Sequence, residues 1–158
     1  MTAPFGGIMD WDGIVVTNEK IRIGVSSCLL GERVRYDGDH KRDDFISDTL
    51  GITCEFVSVC PEVAIGMGGP RPPIRLTGDP VSPRALGVTD PDLDVTAALT
   101  AYGRRMAREL DDIDAYIFKS RSPSCGTARV KVYAAGKTPR AQGIGLYARE
   151  MMAHQPLL

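Results

Sequence analysis

The sequence predicts an α/β fold built on an open, mainly parallel sheet with helices on both faces. Short segments of strand character, at 21–25, 56–59 and 115–118, alternate with helical patterns. The segment before the third carries the clearest helical period in the chain. Val95, Leu99, Tyr102, Met106, Leu110 and Ile113 recur there at spacings of 3 or 4. Strands joined through helices run parallel, which is the doubly wound, Rossmann-like arrangement.

Residues 1–19 stand apart, with two tandem glycines, isolated apolar residues and no sustained period. They are expected to be a partly disordered extension ahead of a single domain over 20–158. From Lys20 the pattern sharpens: Ile21, Ile23 and Val25 alternate with Arg22 and Gly24, then run into Ser26-Ser27-Cys28, a strand entering a turn. After a polar stretch, Phe45, Ile46 and Leu50 predict a short helix, with Gly51 as its stop. Phe56-Val57-Ser58-Val59 predicts the second strand, ending at Cys60-Pro61. Pro and Gly then crowd 66–91, which predicts a long covering loop. The long helix follows, its apolar stripe facing the core. The third strand ends at Lys119-Ser120, before a Ser122-Pro123-Ser124-Cys125-Gly126 turn. Val130-Lys131-Val132-Tyr133 predicts a short strand. A closing helix is expected from Gly143 onward, with Ile144, Tyr147 and Met151 inward.

The chain is long enough for one domain that buries roughly 70% of its unfolded surface. Its composition, 43% hydrophobic and 25% charged, is that of a soluble globular protein. No apolar run approaches the ~18 residues of a membrane span. The N-terminus has no basic segment leading into a long apolar stretch, so neither a secretory signal nor a membrane partner is expected, and the cytoplasm is the expected location. The net charge of −1 is unevenly spread. Residues 119–158 carry seven bases, among them Lys119, Arg121, Arg129 and Lys131, against the single acid Glu150. Such asymmetry marks either an anionic partner or a solvated face balanced elsewhere.

Cysteines at 28, 54, 60 and 125 are too few and too scattered for a disulfide framework, and none forms a C-x-x-C pair. Their placement is more telling than their number. Cys28, Cys60 and Cys125 each follow a predicted strand, at the sheet edge where open α/β folds bind ligands. Cys54 precedes its strand and belongs at the opposite edge. Three converging thiolates are soft ligands suited to zinc, copper(I) or an iron–sulfur cluster. A cluster with three protein ligands leaves one iron open as a Lewis acid. Glu62, two positions after Cys60, and Ser122, three before Cys125, add a carboxylate and a hydroxyl able to position and deprotonate a water. Spacing alone leaves duller readings open. The cysteines can be buried structural residues, Glu62 a helix-start carboxylate, and Ser122 a turn residue before Pro123.

Two other chemistries compete. A cysteine-nucleophile phosphatase needs an Arg closing the loop as Cys-x5-Arg. After Cys28 that place is held by Val34, between Arg33 and Arg35, and neither Cys60 nor Cys125 has such an Arg. A zinc-binding structural module usually brings its ligands as close pairs. Here they are far apart, and the candidate fourth ligands, His40 and His154, sit in polar or terminal stretches.

The segments GVSSCLLG (24–31), VRYDG (34–38), VCPEVAIGMGGPRPPIRL (59–76), KSRSPSCG (119–126) and RVKVY (129–133) together resemble the thiouracil desulfidase family, from about Lys20 to the C-terminus. The resemblance implies a [4Fe-4S] cluster on Cys28, Cys60 and Cys125, with its fourth iron open to the sulfur of a thiolated uracil. It implies non-redox hydrolysis, with Glu62 positioning the water and Ser122 as the catalytic serine. Ser27, Arg71 and Arg75 lie in the resembling segments and are expected beside the substrate, whereas Arg84 can equally pair with a nearby acid. The GGPRPPIRL form and the C-terminal segment are similar to the two-domain branch of the family, which implies 4-thiouridine of transfer RNA as substrate. In that branch a further domain follows, so RNA recognition is expected to need a helper domain, in cis or separate. The small-molecule partner expected of this chain is the thiolated base or nucleoside. Residues 1–19 match no part of the family.

Overall fold

The computed structural model describes residues 8–9, 15–16 and 19–155. The expectation of disorder over 1–19 falls largely outside them; within them, β1 (Ile8–Met9) pairs antiparallel with β2 (Val15–Val16).

The remaining strands form two sheets rather than the single one expected, and the fold is mixed α/β. The first is parallel, with β3 (Ile21–Ser26) between β4 (Cys54–Val59) and β7 (Ala115–Ile117). Four of the six residues of β3 are buried, the burial expected of a central parallel strand covered on both faces. Gly24 is required there. The Tyr116 ring lies across it, and a Cβ would come within 2.4 Å of that ring. Because Ser26 pairs with Val59, β3 and β4 end together, and Val25 pairs with Ile117, so β7 ends beside them.

The second sheet has the order β6-β5-β8-β9, where β5 is Ile74–Gly78, β6 is Pro83–Gly87, β8 is Val130–Tyr133 and β9 is Arg140–Gly143. β5 runs parallel to β8; the other pairs are antiparallel. The hairpin β5–β6 corrects the expectation of a structureless loop over 66–91. Ile74 and Leu76 point into the core between Arg75 and Thr77, an alternation that the surrounding Pro and Gly residues hide. β9 is a polar edge strand, invisible to any hydrophobic pattern.

Helices join the sheets. Phe45–Leu50 is π-helical and continues as the single turn α1 (Gly51–Thr53), where a short α-helix was expected; Gly51 lies against the Phe56 ring of β4. α2 (Pro61–Ala64) is one turn, with Pro61 in the first-turn position where its missing N–H costs nothing. α3 (Thr96–Glu109) and α4 (Leu146–His154) pack on each other. They cross at Gly103, where a Cβ would meet Glu150 Cβ at 2.8 Å. The N-terminal end of α3, with Val95 and Leu99, closes a core of Ile74, Leu76 and Val132 on the mixed sheet. Its C-terminal end, with Ala107 and Leu110, joins Val59, Tyr147 and Met151 on the parallel sheet. Among the described residues, no helix is long and apolar enough to cross a membrane.

Candidate active site

The three strand ends of the parallel sheet open onto one cavity of about 380 Å³, and Cys28, Cys60 and Cys125 all line it. Each thiol is carried by a different local device. After β3 the chain makes a 3-10 turn over Ser27–Leu30, closed by Gly31 at φ 93, a left-handed conformation that glycine adopts without penalty. After β4, Cys60 is still extended, and its carbonyl accepts the Ala64 N–H at 3.0 Å to start α2. The third turn is held by its own serine: Ser122 Oγ accepts the N–H of Ser124 at 3.2 Å and of Cys125 at 3.1 Å. Gly126 closes it where a Cβ would lie 2.5 Å from Val130 Cγ2. The carbonyls of Pro123 and Ser124 then accept the N–H groups of Leu146 and Ala148. These are donors in the first turn of α4 that have no partner within the helix. The cysteine turn thus caps the C-terminal helix. Cys54, at the start of β4 and paired with Ile21, lies at the other end of the sheet, about 17 Å along the strand from Val59.

Burial pushes the Cys28 thiol up, opposed by the Lys119 charge. It raises Cys60 too, opposed by the Val63 backbone N–H and by Arg71. Cys125, the most enclosed of the three, is driven well above the usual thiol range by burial, with the Ser26 hydroxyl pulling the other way. Burial therefore favours protonated thiols, and a soft metal that takes them as ligands displaces those protons. Three soft thiols lining one cavity are a donor set of the kind an iron–sulfur cluster takes.

Glu62 is buried at the cavity wall with both carboxylate oxygens engaged. Oε1 accepts the Ser124 hydroxyl and Oε2 accepts Arg71 Nε, each at 2.7 Å. Arg71 is itself buried, and its Nη1 donates to the carbonyls of Val34 and Gly68, both at 2.7 Å. The guanidinium is thus spent on fixing Glu62 and two loop segments, although it also lines the cavity. Ser27 lines the same cavity and is buried. Arg75 does not reach it. On β5 it points away from Ile74 and Leu76 into a neighbouring cavity of about 580 Å³, with its guanidinium 4.9 Å from the Tyr133 ring centre. Arg121, Arg129 and Lys131 line that second cavity with it, and among the described residues no acid does. Arg84 is exposed and pairs with Asp94. Ser124 escaped the sequence reading. It had a signal in its place inside the cysteine turn, but its partner lies 62 residues away.

Comparison with known proteins agrees with this geometry. The model of the 2-thiouracil desulfurase family matches residues 23–158. A solved [4Fe-4S]-dependent thiouracil desulfidase, TudS, is similar with a TM-score of 0.66 and 34% identity, over 85% of this chain and 87% of that one. An uncharacterized protein of Bacillus subtilis (strain 168), YbbK, is 33% identical over 114 residues, which is 65% of this chain and 72% of the relative. The family match runs unbroken from the first strand of the parallel sheet through all three cysteine turns to the helix that the last of them caps, and the chain belongs to the 2-thiouracil desulfurase family.

Proposed function

We propose that this chain is an iron–sulfur enzyme that removes sulfur from a thiolated uracil by non-redox hydrolysis, with a [4Fe-4S] cluster held by Cys28, Cys60 and Cys125. The observation that carries this is the convergence of three soft thiols and one buried carboxylate on a single cavity. Family membership and the likeness to TudS support the cluster and the substrate class. When bound, the cluster supplies an open iron, a soft Lewis acid suited to a sulfur atom.

The protein residues do the rest. Glu62 takes a proton from the attacking water, and the bonds from Arg71 and Ser124 hold its carboxylate in one orientation. The Ser122 oxygen already accepts two N–H groups, so its hydroxyl proton is the part left for the substrate. Ser122 then acts as a donor to substrate oxygen rather than as a base. Ser27 and Arg71 line the space beside it, Ser27 as a polar wall and Arg71 through Glu62. Arg75 belongs to an extended subsite. Its basic cavity shares Ile74, Arg121 and Pro123 with the first, which favours a substrate with a phosphate beyond the base, including 4-thiouridine in transfer RNA presented by a helper domain. Four free cysteines fit work in the cytoplasm, as one domain over 20–158.

The test is an anaerobic assay of reconstituted protein against free 4-thiouracil and thiolated transfer RNA, side by side. Release of sulfide from the free base is expected. Cys28→Ser, Cys60→Ser and Cys125→Ser should lose the brown colour of the cluster, because a hard hydroxyl replaces a soft thiolate. Cys54→Ser should keep both colour and turnover. Bleaching by Cys54→Ser with retention in one of the other three overturns the ligand assignment.

A further inference from the structure

We propose that Ser27, Ser58 and Glu32 form a proton relay from the thiol cavity to solvent, an inference that rests on the hydrolytic reading of the site. Hydrolysis of a C=S bond takes in one water and gives a C=O bond, HS⁻ and one proton. The water's oxygen goes to carbon; one of its protons leaves with the sulfur, and the other must leave the cavity. Glu62 takes that proton first, yet its protein partners cannot pass it outward, so it goes on to a water in the cavity that Glu62 and Ser27 both line. The partners of Glu62 are Ser124, fully buried, and Arg71, a buried cation with no acceptor atom.

Ser27 offers the way out. It is buried at 3% exposure and lines the cavity, and its Oγ lies 2.7 Å from Ser58 Oγ on the edge strand β4. Ser58 in turn hydrogen-bonds Glu32 Oε1, and both Ser58 and Glu32 are exposed. The Glu32 N–H also donates to the Ser27 carbonyl at 3.3 Å, which ties the two ends of the relay together through the backbone.

The chemistry of the three groups fixes the direction of the chain. A carboxylate only accepts, so the single hydroxyl proton of Ser58 goes to Glu32. The Ser27–Ser58 bond must then be donated by Ser27, whose oxygen keeps its two lone pairs as acceptors. A proton arriving at Ser27 Oγ releases the Ser27 proton to Ser58 Oγ, and the Ser58 proton passes to Glu32. Each O–H bond broken is replaced by one formed. Glu32 unloads to bulk water, and the two hydroxyls rotate back.

The test uses the reconstituted holoenzyme with free 4-thiouracil, comparing wild type with Ser58→Ala, Glu32→Gln and Glu32→Asp. The readouts are kcat, KM, the solvent deuterium isotope effect, rescue by added imidazole, and the visible absorbance of the cluster. Ser58→Ala and Glu32→Gln should lower kcat by about tenfold, below the usual range for losing a primary acid or base, with KM unchanged. The isotope effect should grow, imidazole should restore the rate, and Glu32→Asp should keep most of it. Wild-type kcat and isotope effect in both variants overturn the relay, as does a loss that imidazole leaves untouched or that tracks loss of cluster absorbance. An inactive wild type instead overturns the desulfidase reading beneath it.

Discussion

Glu62 and Arg71 show how much of the site rests on single side chains. The pair is buried, and breaking such a pair leaves an uncompensated charge that is strongly destabilising. Glu62→Gln should keep the cluster's visible absorbance and cut kcat by about 10² or more, the usual scale for losing a general base. Arg71→Lys tests the positioning role. A lysine has no fork to reach Glu62 Oε2 and the Val34 and Gly68 carbonyls together, so kcat should fall with KM little changed. Wild-type kcat in both variants removes the carboxylate from the chemistry. At this scale the gathering of the three thiols, Glu62 and Ser122 on one cavity was legible, because Cys28 and Cys60 follow strand ends directly, Cys125 lies in the turn after the third strand, and Glu62 and Ser122 sit two and three residues from a cysteine. Ser124 was not, because its importance lies in a bond to a residue distant in sequence. Arg75, expected beside the substrate from a stretch read as loop, lies instead on a strand that points it into the neighbouring cavity, since a period of two sends neighbours 74 and 75 to opposite faces.

Among the elements, α3 depends on a clip at its start that composition conceals. Asp94 Oδ1 accepts the Thr96 N–H at 2.9 Å, and Thr96 Oγ1 accepts the Ala85 N–H of β6 at 2.9 Å, so one acid anchors the helix and the hairpin together. The Thr96 hydroxyl and Arg84 hold the Asp94 carboxyl down to about 2. Its folded value is therefore below its unfolded one. The stabilisation it brings is fully present above about pH 4 and is lost as pH falls toward 2. Asp94→Ala should lower the unfolding free energy by about 1 kcal/mol, at the modest end because the side chain is partly exposed. The loss should be much smaller in denaturant titrations near pH 2 than near pH 7; a loss of equal size at both pH values would remove the charge from the clip. The helix itself was legible from its apolar period, whereas the β5–β6 hairpin was not. A strand of five residues set among prolines and glycines offers too few alternations to stand out.

For the whole molecule, α/β class and the convergence of cysteines could be read from strands that end in cysteine turns, but the division into two sheets could not. That division depends on α3 and α4 serving two cores at once, a matter of packing between elements far apart in the chain. Charge acts at this scale too. Three of the seven C-terminal bases, Arg121, Arg129 and Lys131, line the second cavity, yet the chain as a whole carries −1. Stable RNA binding takes many phosphate contacts and weakens steeply with salt. The chain alone should therefore bind thiolated transfer RNA only weakly in a titration at about 150 mM salt, where charges beyond ~8 Å are screened. Submicromolar binding there would make RNA the leading substrate without a helper. One local contact reaches just as far. Because the turn that bears Cys125 also supplies the first acceptors of α4, the C-terminal helix is anchored directly on the active site. Gly145 sits where a Cβ would strike the Ser124 backbone at 2.5 Å, so a mutation there is a mutation of the active site although it never faces the cavity. Helix and turn stand or fall together: whatever unseats α4 unseats the turn that carries Cys125.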